Sequence, residues 1–217
     1  MSDVVIVQHG QASFGAQDYD NLSEIGHHQA SLLGAHLHEL EHPFDAVICG
    51  DLKRHRQTLD GISKNLTHPE VHIDPRLNEL DYVKLEAAYC AHLGVSPPAS
   101  PVEFRDTFPV MLKLWSEDAL LDVPETFENF KLRVSNAVDD HLVPNARLLV
   151  VSSGGPISLL VGHALGLGIG SMSEILNLTL NSSINRFEIK DNRFSLTQYN
   201  AVPHLDHASR IHLRTYI

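Results

Sequence analysis

Three features of the sequence predict an α/β fold, a three-layer sandwich with helices on both faces of a mainly parallel sheet. Short β-branched and apolar runs recur along the chain, stretches of helical period separate them, and the runs are apolar at consecutive positions, as strands buried on both faces must be. Residues 4–7 form the first run, closed by Gln8-His9-Gly10, and residues 45–49 repeat the form before Gly50-Asp51. Between them, residues 22–40 place Ile25, Ala30, Leu33, Leu37 and Leu40 near one helical face, with Ser23 as the cap. Residues 52–66 read as a second helix, 71–73 as a short strand, and 126–142 as a long amphipathic helix feeding a strand at 148–151. Residues 184–189 and 194–199 flank Lys190-Asp191-Asn192-Arg193, a hairpin turn signal.

Residues 148–170 contain no Asp, Glu, Lys or Arg over a length that would cross a bilayer. Six glycines, Pro156, His163 and three serines divide the stretch into a buried strand, a Gly-Gly turn and a helix starting at Pro156. It reads as core. Residues 83–125 break the alternation with Ser96-Pro97-Pro98-Ala99-Ser100-Pro101 and a weak helical period near Met111, Leu112, Leu114 and Trp115. The expected organisation is therefore one domain over residues 1–217 with a helical insertion at about 83–125.

A net charge of −11 repels nucleic acid and anionic membranes, so an anionic ligand needs a local pocket. Two cysteines, Cys49 and Cys90, make no disulfide framework, and the opening residues lack signal-peptide character, so the expected location is the cytoplasm. Fifteen histidines stand out, yet His27-His28, the cluster His36, His38 and His42, and the pair His204 and His207 lack zinc-motif spacing and read as solvated surface groups. No metal or organic cofactor is expected.

Ligands of α/β sheets bind beyond the carboxyl ends of strands. Three turns qualify: Gln8 to Ser13, Asp51 to Thr58, and Ser152-Ser153-Gly154-Gly155-Pro156. Each opens toward a helix N-terminus or a glycine turn, where unpaired N–H groups favour a phosphate or carboxylate, although such turns also arise for packing alone. Cys49 reads as a small buried hydrophobe. His55 and Arg56 are expected to face solvent or the helix edge, because each position rotates about 100° from its neighbour Arg54.

The same segments, in order, resemble the histidine phosphatase superfamily, which includes phosphoglycerate mutase. Val5-Ile6-Val7-Gln8-His9-Gly10-Gln11-Ala12-Ser13-Phe14-Gly15 stands where the family has a strand followed by Arg-His-Gly. Leu22-Ser23-Glu24-Ile25-Gly26 and Leu52-Lys53-Arg54-His55-Arg56-Gln57-Thr58 are similar to its first two helices. Arg76-Leu77-Asn78-Glu79-Leu80 looks like the segment carrying its acid, and Glu125-Thr126-Phe127 with Val150-Val151-Ser152-Ser153-Gly154-Gly155 like its last helix and strand. The resemblance implies a phosphoglycerate mutase-like sandwich with His9 as nucleophile and Glu79 as the acid. Gln8, Gln11, Ser13, Arg54, Ser153 and Gly154 would then hold the phosphate. Glu79 would need a raised pKa, from burial or from nearby Asp81; otherwise it is a surface carboxylate.

Two positions depart from the family pattern. Gln8 replaces an arginine and Ser153 replaces a second histidine, so Arg54 is the one fixed positive charge left in a pocket that still has neutral donors. The implied function is a phosphatase acting on a small phosphomonoester, weakly or with altered specificity. The alternative is a catalytically silent member that binds an anion or a protein partner. A Ser/His hydrolase built on Ser153 and His9 is disfavoured, for want of a Gly-x-Ser-x-Gly elbow and a third partner. The insertion carries Lys84, Arg105 and Lys113 against seven acidic residues, which argues against mutase action on a doubly phosphorylated ligand, and it offers a surface for a homodimer.

Overall fold

In β1 (Ser2–Gln8), Val5 and Val7 face one helical layer while Val4 and Ile6 face the other. The same alternation sorts Val47 and Cys49 from Ile48 in β2 (Ala46–Cys49), and Leu149 and Val151 from Leu148 and Val150 in β4 (Arg147–Ser152). Strands that bury both faces need a layer of helices on each, and that requirement sets the architecture. The computed structural model describes residues 1–13, 18–40, 42–190 and 193–216. Phe14 and Gly15, the end of the family-like first segment, and Asp191 and Asn192, the middle of the expected hairpin turn, lie outside the described residues.

With β3 (Val71–Ile73), β5 (Ile184–Lys190) and β6 (Arg193–Ala201), the sheet runs β3-β2-β4-β1-β5-β6. The first four strands pair in parallel, and β5 and β6 add an antiparallel hairpin at the edge. Helices α1 (Glu24–Glu39) and α2 (Lys53–Ser63) cover one face through Leu33, Leu37, Leu59 and Ile62. The other face carries α3 (Tyr82–Leu93), α4 (Pro101–Ser116), α5 (Phe127–His141), α6 (Gly154–Leu165) and α7 (Ile169–Leu178), with Trp115, Phe130 and Leu159 among the buried contacts. The result is the mixed α/β sandwich that the sequence predicts. Ser23 caps α1 by accepting from the Gly26 N–H, and Thr126 caps α5 by accepting from Asn129.

Two expectations need correction. Helix α6 starts at Gly154 rather than Pro156, so the glycines form its first turn; Pro156 is still within the turn where a missing N–H costs no helical bond. His204 is buried, not solvated, with Nε2 2.8 Å from Ser182 Oγ, because the chain after β6 folds back over α1. Among the described residues, no helix is long and apolar enough to cross a membrane, and no group of three or more His, Cys, Asp or Glu is placed to hold a metal ion.

Candidate active site

The carboxyl ends of β1, β2 and β4 bring one cluster of side chains together, and His9 lies at its centre, immediately after β1. Its backbone is fixed on both sides: the N–H donates to Ser152 O, and the carbonyl accepts from Ser182 N. Its ring is equally constrained. Nδ1 lies 2.7 Å from Gly10 O, which can only accept, so Nδ1 carries the proton and Nε2 exposes a lone pair. Arg54 Nε donates to that lone pair at 3.1 Å, an independent demand for the same tautomer. Burial, with the Arg54 charge beside it, lowers the His9 pKa to about 3, so the ring is a neutral nucleophile at physiological pH.

Helix α2 enters the pocket by its N-terminus. Arg54 is buried and also pairs through Nη1 with Asp20 Oδ1 at 2.6 Å, while Asp20 Oδ2 accepts from the Lys53 N–H. Thr58, one turn further on, donates to Arg54 O and accepts from Gly10 N, tying α2 to the turn that orients His9. The expected outward position of His55 is overturned. It is fully buried, its Nε2 is 2.6 Å from Ser153 Oγ, and its ring centre is 5.7 Å from that of His9. A 100° rotation does not take a side chain out of a pocket that wraps the end of a helix. Arg56 does face outward, where it pairs with Asp51.

Glu79 follows the short 3-10 turn at Pro75–Leu77 and lies half-buried against the start of α6. Oε1 accepts from Leu80 N and Gly155 N, both at 3.0 Å, and Oε2 accepts from Gly155 N at 3.2 Å. Burial raises its pKa and outweighs the opposing pull of Arg54 and of these N–H groups. Asp81 has no part in this; it pairs with Lys84. Oε2, with fewer donors, is the natural seat for the proton. A Cβ on Gly155 would lie 2.1 Å from Oε1, so glycine at that position is what admits the carboxyl. The anion cradle expected at Gly154-Gly155 is thus partly filled by the protein's own Glu79. Arg133 steadies the segment by donating to Arg76 O and Asn78 O at 2.7 and 2.8 Å while paired with Glu125.

Gln8 is fully buried, and neither Nε2 nor Oε1 has a partner among the described residues. Ser153 and Gly154 are buried at the start of α6. Gln11 and Ser13 stand apart from this group: Gln11 Oε1 accepts from Ser23 Oγ at 2.7 Å, and half-buried Ser13 donates its N–H to Asn21 O. Cys49 is buried, with its thiol pushed up to about 12 by burial, as its reading as a hydrophobe requires. Asp20, Thr58 and His55 are the residues to which sequence reasoning gave no role at the site. Thr58 and His55 carried a signal, their place in the same segment as Arg54; Asp20 carried none.

Comparison with known proteins bears on the family and the fold. The family model described as histidine phosphatase superfamily (branch 1) matches residues 4–202. A probable phosphoglycerate mutase GpmB of Erwinia tasmaniensis is 29% identical over 175 residues, covering 77% of this chain and 76% of that protein. The mitochondrial serine/threonine-protein phosphatase Pgam5 of Drosophila willistoni is 31% identical over 100 residues, 45% of this chain, and the match spans only 30% of that protein's length. Among solved structures, a phosphoserine phosphatase from Entamoeba histolytica in complex with 3-phosphoglyceric acid superposes with a TM-score of 0.65 at 17% identity, covering 94% of this chain and 100% of that one. An alpha-ribazole phosphatase from Shigella flexneri gives 0.63 at 22% identity, covering 92% and 96%.

Proposed function

The chain belongs to the histidine phosphatase superfamily (branch 1), and on that premise we propose that it hydrolyses a small phosphomonoester through a phosphohistidine at His9. The observation that carries the reading is the state of His9: a neutral ring, its tautomer fixed by Gly10 O, its Nε2 lone pair turned to the buried cation Arg54. In the first step Arg54 transfers its hydrogen bond from Nε2 to a phosphoryl oxygen, Nε2 attacks phosphorus, and the ester P–O bond breaks. Glu79 gives the proton on Oε2 to the leaving oxygen. In the second step water attacks the phosphohistidine, Glu79 takes back a proton, and inorganic phosphate leaves with His9 restored.

Gln8 and Ser153 offer neutral donors to the phosphoryl group, and Arg54 shares its charge with Asp20. Neutral bonds to phosphate are roughly half as strong as charge-assisted ones, so turnover is slow and mutase chemistry on 3-phosphoglycerate with its bisphosphate primer is absent. The same two residues favour the second reading, a silent member that binds an anion. Turnover of p-nitrophenyl phosphate by the natural protein and by His9→Ala separates the two, with an acid-labile, base-stable phosphoryl label on the protein as the direct sign of phosphohistidine. His9-dependent turnover with a trapped label supports the phosphatase. Phosphate binding by calorimetry without turnover or label supports the silent reading.

A further inference from the structure

Ser153 occupies the N-cap position of α6 with extended backbone, yet its side chain makes no capping bond to the helix. A serine at this position commonly stabilises the helix by capping it, and here that contribution is forgone. The hydroxyl is turned to His55 Nε2 instead, at 2.6 Å, inside a region where both residues are fully buried. Space for the imidazole comes from Gly50, where a Cβ would lie 2.1 Å from His55 Nδ1. Gly50, His55 and Ser153 therefore form one arrangement contributed by the end of β2, the start of α2 and the start of α6.

The tautomer of His55 follows from its surroundings. Nδ1 has no hydrogen-bond partner among the described residues. A buried N–H without an acceptor is rarer than a buried lone pair without a donor, so the proton sits on Nε2 and is donated to Ser153 Oγ. That leaves the Ser153 hydroxyl proton free to be given to another acceptor. The ring is also neutral, since burial and the neighbouring His9 and Arg54 hold its pKa well below the usual range. It restores a directed donor to the pocket without restoring a charge.

We propose that His55 is a positioning residue that acts through Ser153, holding the serine hydroxyl so that it donates to an oxygen of the phosphoryl group during its transfer to His9. This deepens the phosphatase reading and rests on it. A donor backed by a second hydrogen bond is polarised by it, and the donor matters most where negative charge accumulates on the equatorial oxygens. The role fits a residue whose ring centre lies 5.7 Å from that of the nucleophile, too far to replace it and near enough to orient its neighbour.

The test compares the natural protein with His55→Ala, Ser153→Ala, the double variant, His55→Gln and His9→Ala, each first shown to fold by its thermal transition. The readouts are p-nitrophenyl phosphate kinetics and vanadate affinity. His55→Ala and Ser153→Ala are each expected to lower kcat about 10- to 100-fold with little change in KM, and to weaken vanadate binding in parallel. The double variant should lose no more than Ser153→Ala alone, and His55→Gln, which keeps an N–H at the Nε2 position, should recover most of kcat. If His9→Ala abolishes turnover while His55→Ala keeps natural kcat and vanadate affinity, the positioning role is overturned and the phosphatase reading stands. If the natural protein has no His9-dependent turnover, the phosphatase reading falls. The positioning role in transfer is overturned with it.

Discussion

Acid should destabilise this protein well before its carboxylates titrate, because it buries histidines in neutral form. His9 and His204 each have a pKa of about 3 in the fold, lowered chiefly by burial, against about 6.5 in the unfolded chain. The unfolded state then binds more protons, so the stability these residues provide is complete above pH 6.5 and is lost as pH falls toward 3. Between pH 7 and 5 each costs about 2 kcal/mol, and the two together about 4 kcal/mol, against a total stability of about 5–15 kcal/mol. His55 acts in the same direction, while Glu79, whose pKa is raised, opposes with a single proton. Urea unfolding at pH 7 and 5, followed by the fluorescence of buried Trp115, measures the difference. His204→Gln, which leaves His9 itself in place, should reduce the pH dependence by about 2 kcal/mol over the same interval. Equal stability at the two pH values, or a natural slope in His204→Gln, would mean that these rings are protonated or hydrated in the native state, and the argument would fail.

Glu79→Gln removes the proton given to the leaving oxygen. It should lower turnover of an alkyl phosphate about 10²–10⁴-fold while leaving p-nitrophenyl phosphate far less affected, since that leaving group departs unprotonated; a parallel series of esters with leaving groups of rising basicity would show this as a steeper dependence in the variant. Arg133→Met strips Arg76 O and Asn78 O of a charged donor and leaves Glu125 without its partner. A loss of about 1.5–3 kcal/mol in unfolding free energy is expected, together with a lower kcat, because the segment that carries Glu79 loses its support.

The central strands β1, β2 and β4 are legible in the sequence because burial on both faces writes them as continuous apolar runs, and α1 is legible because Ser23 and its apolar face agree. The start of α6 is not: a proline tolerated anywhere in a first turn does not mark the first residue, so Pro156 points two residues too late. Glu79 shows no periodicity of its own and is found only through the family resemblance of its segment. His55 fails for a different reason. Helical phase describes one face packed on one layer, whereas the N-terminus of α2 is surrounded by the ends of β1, β2 and β4, so adjacent positions both turn inward. Asp20 contributes to the pocket from a polar loop where no pattern separates a clamp from a solvated carboxylate.

The charge balance of the pocket also sets its working pH. Arg54 is the buried cation and is already paired with Asp20, so a phosphomonoester fits best with one negative charge, and Glu79 must hold its proton to act. Phosphomonoesters take on a second charge near pH 6, and Glu79 deprotonates as pH rises, so kcat/KM should fall on the alkaline side. On the acid side His9 stays neutral, since its pKa is about 3. Activity there should end with the fold, in a cooperative loss that coincides with the Trp115 transition. A kcat/KM profile recorded alongside fluorescence distinguishes the causes. An acid limb with a midpoint near pH 6.5 and an intact fold would show that His9 titrates as an ordinary exposed histidine, and would remove the neutral-nucleophile argument on which the mechanism stands.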